Sequence, residues 1–388
     1  MGSMRVDTEM SNRHMTRRSR VLMFSQRNIY EIEVWRSTLR EFEEIIRDID
    51  SVELLAPQPR KWFEHRTRIA QTVGKHSSLV LNPGLPKIKL DRYYDLFFAI
   101  CEKPSELLNV NAAEGWSDYC KTSICLLSEL WIKQMPLYKS SLKVLSKFDY
   151  VFSFLSQSVE PINQATRAKC FYMPPGVDTV LFLPYPKAAK RFIDIFSLGR
   201  RSEQVHQALL TMARNNEIFY VYDTIKDLHT HNLEEHRFLI ANMANRSRYF
   251  VVNPAKSDRP AERGDQSEMG FRYFEGAAAG TIMIGEQPTN HEFKKEFFWP
   301  DAVVQLPYDS GRIQEVIREI DQQPDRQEKI RNMNMVQALL RHDWLYRWET
   351  VLKTAGLEPM PELVKRKRML LDLSKMTEEQ TNAARIPR

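Results

Sequence analysis

The stretch Gln266-Ser-Glu-Met-Gly-Phe-Arg-Tyr-Phe-Glu-Gly-Ala-Ala-Ala-Gly280 holds the residues whose types and spacing best suit chemistry. An acidic, glycine-bearing turn opens a short helix expected from about Phe271 to Ala279, and Gly280 ends it before the apolar run Thr281-Ile-Met-Ile284. The free amides and positive dipole end at such a helix start favour an anion such as a diphosphate. Glu268 and Glu275 stand seven residues apart, about two turns, so they project from one side. Anion-binding amides beside two hydroxyl-binding carboxylates would fit a nucleotide sugar. The same residues also suit a plain helix-to-strand connection with close alanine packing.

Such a site needs a scaffold, and the rest of the chain supplies one. Short apolar runs expected to be strands lie at Arg20–Ser25, Val52–Ala56, Ser78–Leu81, Tyr94–Ile100, Ser123–Ser128, Asp149–Phe154 and Lys169–Met173. Helical patterns separate them, at about Tyr30–Arg47, Trp62–Val73, up to Leu145, and Ser158–Arg167. Continuous apolar strands alternating with helices argue for a parallel sheet covered on both faces. Four prolines and a glycine in 174–186 then break regular structure. The alternation restarts with strands at Phe192–Phe196, Ile218–Tyr222, Tyr249–Val252, 281–284 and Ala302–Leu306, and helices at 202–214, 233–245, 311–321, 325–341 and 343–354. The expected fold class is α/β, two tandem Rossmann-like domains with parallel sheets facing a central cleft. The expected divisions are a tail at 1–19, a first domain at 20–175, a hinge at 176–190, a second domain at 191–341, a closing helix at 342–360 and a basic tail at 361–388.

Composition narrows the function classes. With 388 residues, 43% of them apolar, two cores are the natural expectation. The net charge of +6 sits at the ends: residues 1–20 and 361–388 each contribute +3, and the body between them is formally neutral. A nucleic-acid partner is therefore not expected, since such proteins carry their excess on the folded body. In the last segment, Lys365-Arg-Lys-Arg368 beside Met369, Leu370 and Leu371 suits either peripheral contact with an anionic membrane or an ordinary solvated helix. No apolar run approaches the roughly 18–20 residues of a membrane span. Cys101, Cys120, Cys125 and Cys170 show no CxxC spacing and read as reduced thiols, so the expected location is cytoplasmic.

Four motifs, in order, resemble the GT-B glycosyltransferases, within them the retaining family-4 and CgeB-like (glycosyl transferases group 1) branch. Pro175-Gly-Val-Asp178 with Phe182 and Pro184 is similar to that family's hinge, and Phe196-Ser-Leu-Gly-Arg200 to the Gly-Arg turn opening its C-terminal domain. Glu268…Phe274-Glu-Gly-Ala-Ala-Ala-Gly280 resembles its E-x7-E region, and His342-Asp-Trp-Leu-Tyr-Arg-Trp-Glu349 its closing helix. The resemblance implies a metal-independent, retaining transferase that moves a sugar from a UDP-, GDP- or similar nucleotide sugar to an acceptor glycan, lipid-linked molecule or small molecule, with no cofactor. Negative charge builds on the departing diphosphate, and fixed cations with a helix start stabilise it. By resemblance Gly199 and Arg200 hold the diphosphate with Arg201 as a second charge, and Glu275 accepts from the ribose. The Gly270 and Phe271 amides and Arg272 would face the phosphates, Glu268 would reach the sugar, and the loops after Tyr222 and Asn253 would choose the base.

The sequence departs from that pattern. Val205 stands where the family has a lysine, and Glu268 is one residue out of register, with Ser267 in the strict position. No glycine-rich loop follows the first strand, and the N-domain histidine is replaced by Ser128-Glu129-Leu-Trp131. Glu129, at a strand's C-terminal end, is an acceptor-side candidate or an exposed helix-start carboxylate. His229, His231 and His236 lack partners at ligand spacing and read as the polar start of a helix, so no metal site is expected. The charged loop 257–265 reads equally as a mobile cover over the donor or as plain loop. The main alternative to an enzyme is an inactive homologue that binds nucleotide sugar or glycan.

Overall fold

A computed structural model describes residues 19–184, 190–224 and 229–384. Strands are numbered in chain order. The first sheet contains β1 (Val21–Phe24), β2 (Val52–Leu55), β4 (Tyr94–Cys101), β6 (Cys120–Leu127), β7 (Tyr150–Ser153) and β8 (Lys169–Tyr172). All are parallel, in the order β2-β1-β4-β6-β7-β8. A small side pair joins β3 (Ile88–Lys89) to β5 (Ala113–Glu114). The second sheet contains β9 (Ile193–Ser197), β10 (Tyr220–Tyr222), β11 (Ser247–Val252), β12 (Ile282–Gly285) and β13 (Val304–Gln305), also parallel, in the order β10-β9-β11-β12-β13.

Both sheets are buried on both faces, which is why their strands read as unbroken apolar runs. Along β1, Val21 and Met23 enter one layer with Phe42 and Trp344, while Leu22 and Phe24 enter the other with Phe97 and Trp116. Along β11, Phe250 and Val252 face Tyr273 and Phe274, while Tyr249 and Val251 face Val205 and Leu209. The strand period of two makes each residue's layer a matter of parity.

The chain passes between the halves twice, and the two passages brace one another. Val177 bridges to Asp343, and the Arg347 guanidinium donates to the Pro175 carbonyl at 2.6 and 3.0 Å. Gly176 is needed there, because a Cβ would come within 2.5 Å of the Trp344 ring. The Trp344–Ala355 helix then packs on the first sheet, with the Trp344 ring stacked 4.5 Å from Phe42.

One expected strand does not form. Ser78–Leu81 is not a strand: β4 already lies between β1 and β6, and Asn82 caps a turn by accepting from the Gly84 and Leu85 amides. Pro83 and Pro86 lack ladder donors there, and Leu79 is left 61% exposed. The basic segment at the end is a helix, Pro361–Ala384, as one of its two readings had it, but it is packed rather than freely solvated, with Leu363 and Leu370 fully buried. Arg366 pairs with Asp343 and Asp178 at 2.8 Å, and Lys367 with Glu349 at 2.7 Å, so half of the basic cluster is consumed internally. Residues 185–189 of the expected hinge lie outside the described residues. No described helix is long and apolar enough to cross a membrane.

Candidate functional site

The parallel strands β9, β11 and β12 end at one edge, and their loops converge there. Gly199 follows β9 with φ +81°, a left-handed conformation glycine adopts without cost, and its amide donates to Asp223 Oδ1 at 3.0 Å. The Arg272 guanidinium lies over this turn, 4.0 Å from where a Cβ on Gly199 would stand. Arg200 points outward, 43% exposed, loosely facing Asp258 at 3.5 Å. Gly270 precedes the Phe271–Ala278 helix in an extended conformation, and no side chain caps that helix. The Asn253 side chain accepts from the Glu286 amide at 3.3 Å, and its carbonyl lies against Gly270. Gly199, Arg200, Asn253, Gly270 and Arg272 thus gather at one edge, two guanidiniums beside an uncapped helix start.

Other expected site residues are placed differently. Arg201 is committed to Asp223, at 2.9 Å and through that residue's carbonyl, and its guanidinium lies 5.1 Å from the Tyr222 ring centre. Tyr222 packs edge-on against His206 at 4.8 Å. The Phe271 ring turns toward the first domain, 5.7 Å from Phe154.

Both glutamates depart from open, hydroxyl-facing positions. Glu275 is fully buried, its two oxygens taken by Arg237 and Arg272. Burial opposes its charge, but the two arginines prevail and pull its carboxyl down to about 2. Glu268, 1% exposed, faces the first domain and accepts from the Ser156 amide and hydroxyl at 3.0 and 2.9 Å and from the Gln157 amide at 2.8 Å. Burial raises its carboxyl above the ordinary range against those donors. It therefore satisfies the start of the helical segment at Ser156 and clamps the domains together. Ser267 joins that clamp, its amide donating to Gln157 Oε1 at 2.7 Å, and Gln266 accepts from the Ile132 amide at 2.8 Å.

Three more residues complete the junction, two that the sequence reading passed over and one that it placed in the loop after Asn253. Arg237, 3% exposed, donates to Glu41 Oε2 at 2.8 Å as well as to Glu275. Burial works against its charge, but Glu41 and Glu275 raise its pKa. Glu41 also accepts from the Asp178 amide and the Trp344 indole, each at 2.8 Å, while burial pushes its carboxyl up. A four-member chain, Glu41–Arg237–Glu275–Arg272, therefore runs from the first domain to the Gly199 turn. Its signal in the sequence was periodicity: Arg237, Ile240, Ala241 and Ala244 share the buried face of the Leu233–Asn245 helix, and an arginine on such a face needs partners. Glu41 and Arg237 also wall a cavity of about 540 Å³ between the halves, together with Arg36, Asp48, Glu234 and Phe238.

The third is Lys256. Its ammonium lies 3.1 Å from Glu262 and 3.6 Å from Glu129 across the junction, 5.1 Å from the Trp131 ring centre. The charged loop thus touches the first domain. Among the described residues, no group of three or more His, Cys, Asp or Glu is placed to hold a metal ion.

Residues 214–353 match the family described as glycosyl transferase-like. No curated protein matches the chain. Among solved structures, an alpha-glucosyltransferase in complex with UDP and a 13-mer DNA containing a HMU base matches at TM-score 0.51 and 10% identity, over 87% of this chain and 98% of that one. HepE from Anabaena, in complex with UDP-glucose, matches at TM-score 0.50 and 11% identity, over 87% and 99%. At these identities the likeness establishes the architecture.

Proposed function

From a chain that has the GT-B fold of glycosyltransferases, we propose a transferase that moves a hexosyl group from a nucleoside-diphosphate sugar, UDP- or GDP-linked, to a hydroxyl acceptor in glycan biosynthesis. The observation that carries this reading is the edge where Gly199, Arg200 and Arg272 meet the uncapped start of the Phe271–Ala278 helix. A diphosphate there would meet two guanidiniums and the positive helix end, and both favour its charge more as the glycosidic bond breaks. That supports metal-independent chemistry. Retention follows from the resemblance of the motifs, by a same-face course in which the departing phosphate takes the acceptor's proton. The bound UDP-glucose of HepE supports a UDP-sugar. A cytoplasmic protein fits the four free cysteines. Peripheral membrane contact would fall to Arg368 and to Lys365, whose ion pair with Glu362 at 3.5 Å lies at the surface, since Arg366 and Lys367 are paired internally.

The sealed carboxylates favour a second reading, a homologue that binds nucleotide sugar without turnover. Glu275 and Glu268 have no open face for a ribose or a sugar in this conformation. A panel of nucleotide sugars separates the two. Thermal stabilisation together with release of nucleoside diphosphate supports the transferase. Stabilisation without release or transfer, with any acceptor tried, supports the binding protein.

A further inference from the structure

Each end of the charged chain Glu41–Arg237–Glu275–Arg272 lies at a working part of the molecule. At one end, Glu41 Oε1 accepts from the Asp178 amide in the first passage between the halves and from the Trp344 indole in the second, each at 2.8 Å. Its other oxygen, Oε2, accepts from Arg237 Nε at 2.8 Å. One carboxylate therefore holds both passages with one oxygen and the rest of the chain of charges with the other.

At the opposite end the Arg272 fork is divided. Nη1 donates to Glu275 Oε2, while Nη2 lies over the Gly199 turn. Glu275 thus fixes which way the guanidinium faces, with one nitrogen spent on it and the other left for an anion at the helix start. Glu275 is itself fixed, fully buried, with Oε1 taken by Arg237 Nη1. Between the ends, Arg237 has Nε on Glu41 and Nη1 on Glu275, and its Nη2 is buried with no hydrogen-bond partner. Glu41 is the charge that draws this guanidinium away from Glu275. Without it, Arg237 is free to pair with both oxygens of Glu275, and Arg272 Nη1 loses its anchor.

We propose that Glu41, Arg237 and Glu275 are positioning residues for the donor: they aim the Arg272 guanidinium at the diphosphate and make that aim depend on the seating of both passages. This rests on the donor site of the transferase reading. Glu275 then serves the phosphate end of the donor, through Arg272, rather than the ribose. The coupling is reciprocal, so a diphosphate held by Arg272 also tightens the Glu41 contacts at Asp178 and Trp344.

The test is a double-mutant cycle on UDP affinity, measured by calorimetry on the full chain with the parent, Glu41→Gln, Arg272→Ala and the double variant. Glu41→Gln keeps an oxygen for the Asp178 amide and the Trp344 indole and removes the charge that holds Arg237. The expected result is binding weakened about fivefold or more in the parent background, and changed by less than about twofold where Arg272 is already alanine. A merely structural role for Glu41 would weaken both backgrounds alike. That result overturns the proposal, as does unchanged or tighter binding by Glu41→Gln. Should Glu41→Gln fail to fold, Glu275→Gln takes its place in the cycle with the same expectations. A second measurement needs no variant of the chain's first three members. Saturating UDP should slow hydrogen exchange at the Asp178 amide and the Trp344 indole of the parent and leave both unchanged in Arg272→Ala. No slowing in the parent, or equal slowing in the two proteins, overturns the coupling. A parent that binds neither UDP nor GDP brings down the donor site itself. Binding that Arg272→Ala weakens and Glu41→Gln does not brings down the positioning alone.

Discussion

Arg237 is the single residue on which most depends. It is 3% exposed and supplies the cation for Glu41, while sharing Glu275 with Arg272. Arg237→Ala would leave Glu41 buried with neutral donors only, and breaking a buried pair in this way costs about 3–5 kcal/mol. The urea midpoint should fall accordingly; an unchanged midpoint would mean that the chain of charges is not formed in solution. Glu275 gives the pH dependence. Its folded carboxyl sits at about 2, below the roughly 4.3 of an unfolded glutamate. It therefore contributes stability that is full above the unfolded value and is lost as pH falls toward 2. Glu41 and Glu268 are shifted upward and act with the opposite sign, so the contribution is read by difference. Between pH 5 and 2 the unfolding free energy of the parent should fall more steeply than that of Glu275→Gln. Equal slopes would place the carboxylate elsewhere.

Among the elements, the segment Gln266–Glu268 acts as a clamp rather than a catalytic loop. Glu268→Ala removes acceptors for the Ser156 and Gln157 amides, a loss comparable to removing a helix cap, about 1–2 kcal/mol. Hydrogen exchange at those two amides should accelerate while UDP affinity holds; unchanged exchange would deny the clamp. The same segment shows what the sequence made legible. Its helix, Phe271–Ala278, was readable from Gly270 and Gly280 at its ends, and the Leu233–Asn245 helix from its periodicity. Most strands were readable because parallel strands buried on both faces are continuously apolar. The direction in which Glu268 points was not, because a carboxylate's partner is set by what folds opposite it, here residues 111 and 112 positions away. Ser78–Leu81 misled because its pattern was strand-like, while the places beside β1 are taken by β2 and β4 and the prolines at 83 and 86 lack ladder donors. The packing of the Pro361–Ala384 helix was not legible, because its four basic residues read as solvated while two of them are partnered by acids far away in the sequence.

For the whole molecule, two parallel sheets joined by two braced crossings place one set of strand ends against the other, with Glu268 and Lys256 of the second half meeting Ser156, Gln157 and Glu129 of the first. The second crossing completes the first domain's core through Trp344 and Trp348, so the halves are not independent units. The formal charge resides in the termini, and the Pro361–Ala384 helix spends part of its share on ion pairs. Duplex DNA should therefore bind weakly and be lost by roughly physiological salt; retention there would argue for a nucleic-acid acceptor. The central claim is that Arg200, Arg272 and the start of the Phe271–Ala278 helix hold a nucleoside diphosphate. It is tested most directly by calorimetric titration of UDP and GDP into the parent, Arg200→Ala and Arg272→Ala. The account predicts binding to the parent and a loss of at least tenfold in each variant; affinity unchanged in both variants would contradict it.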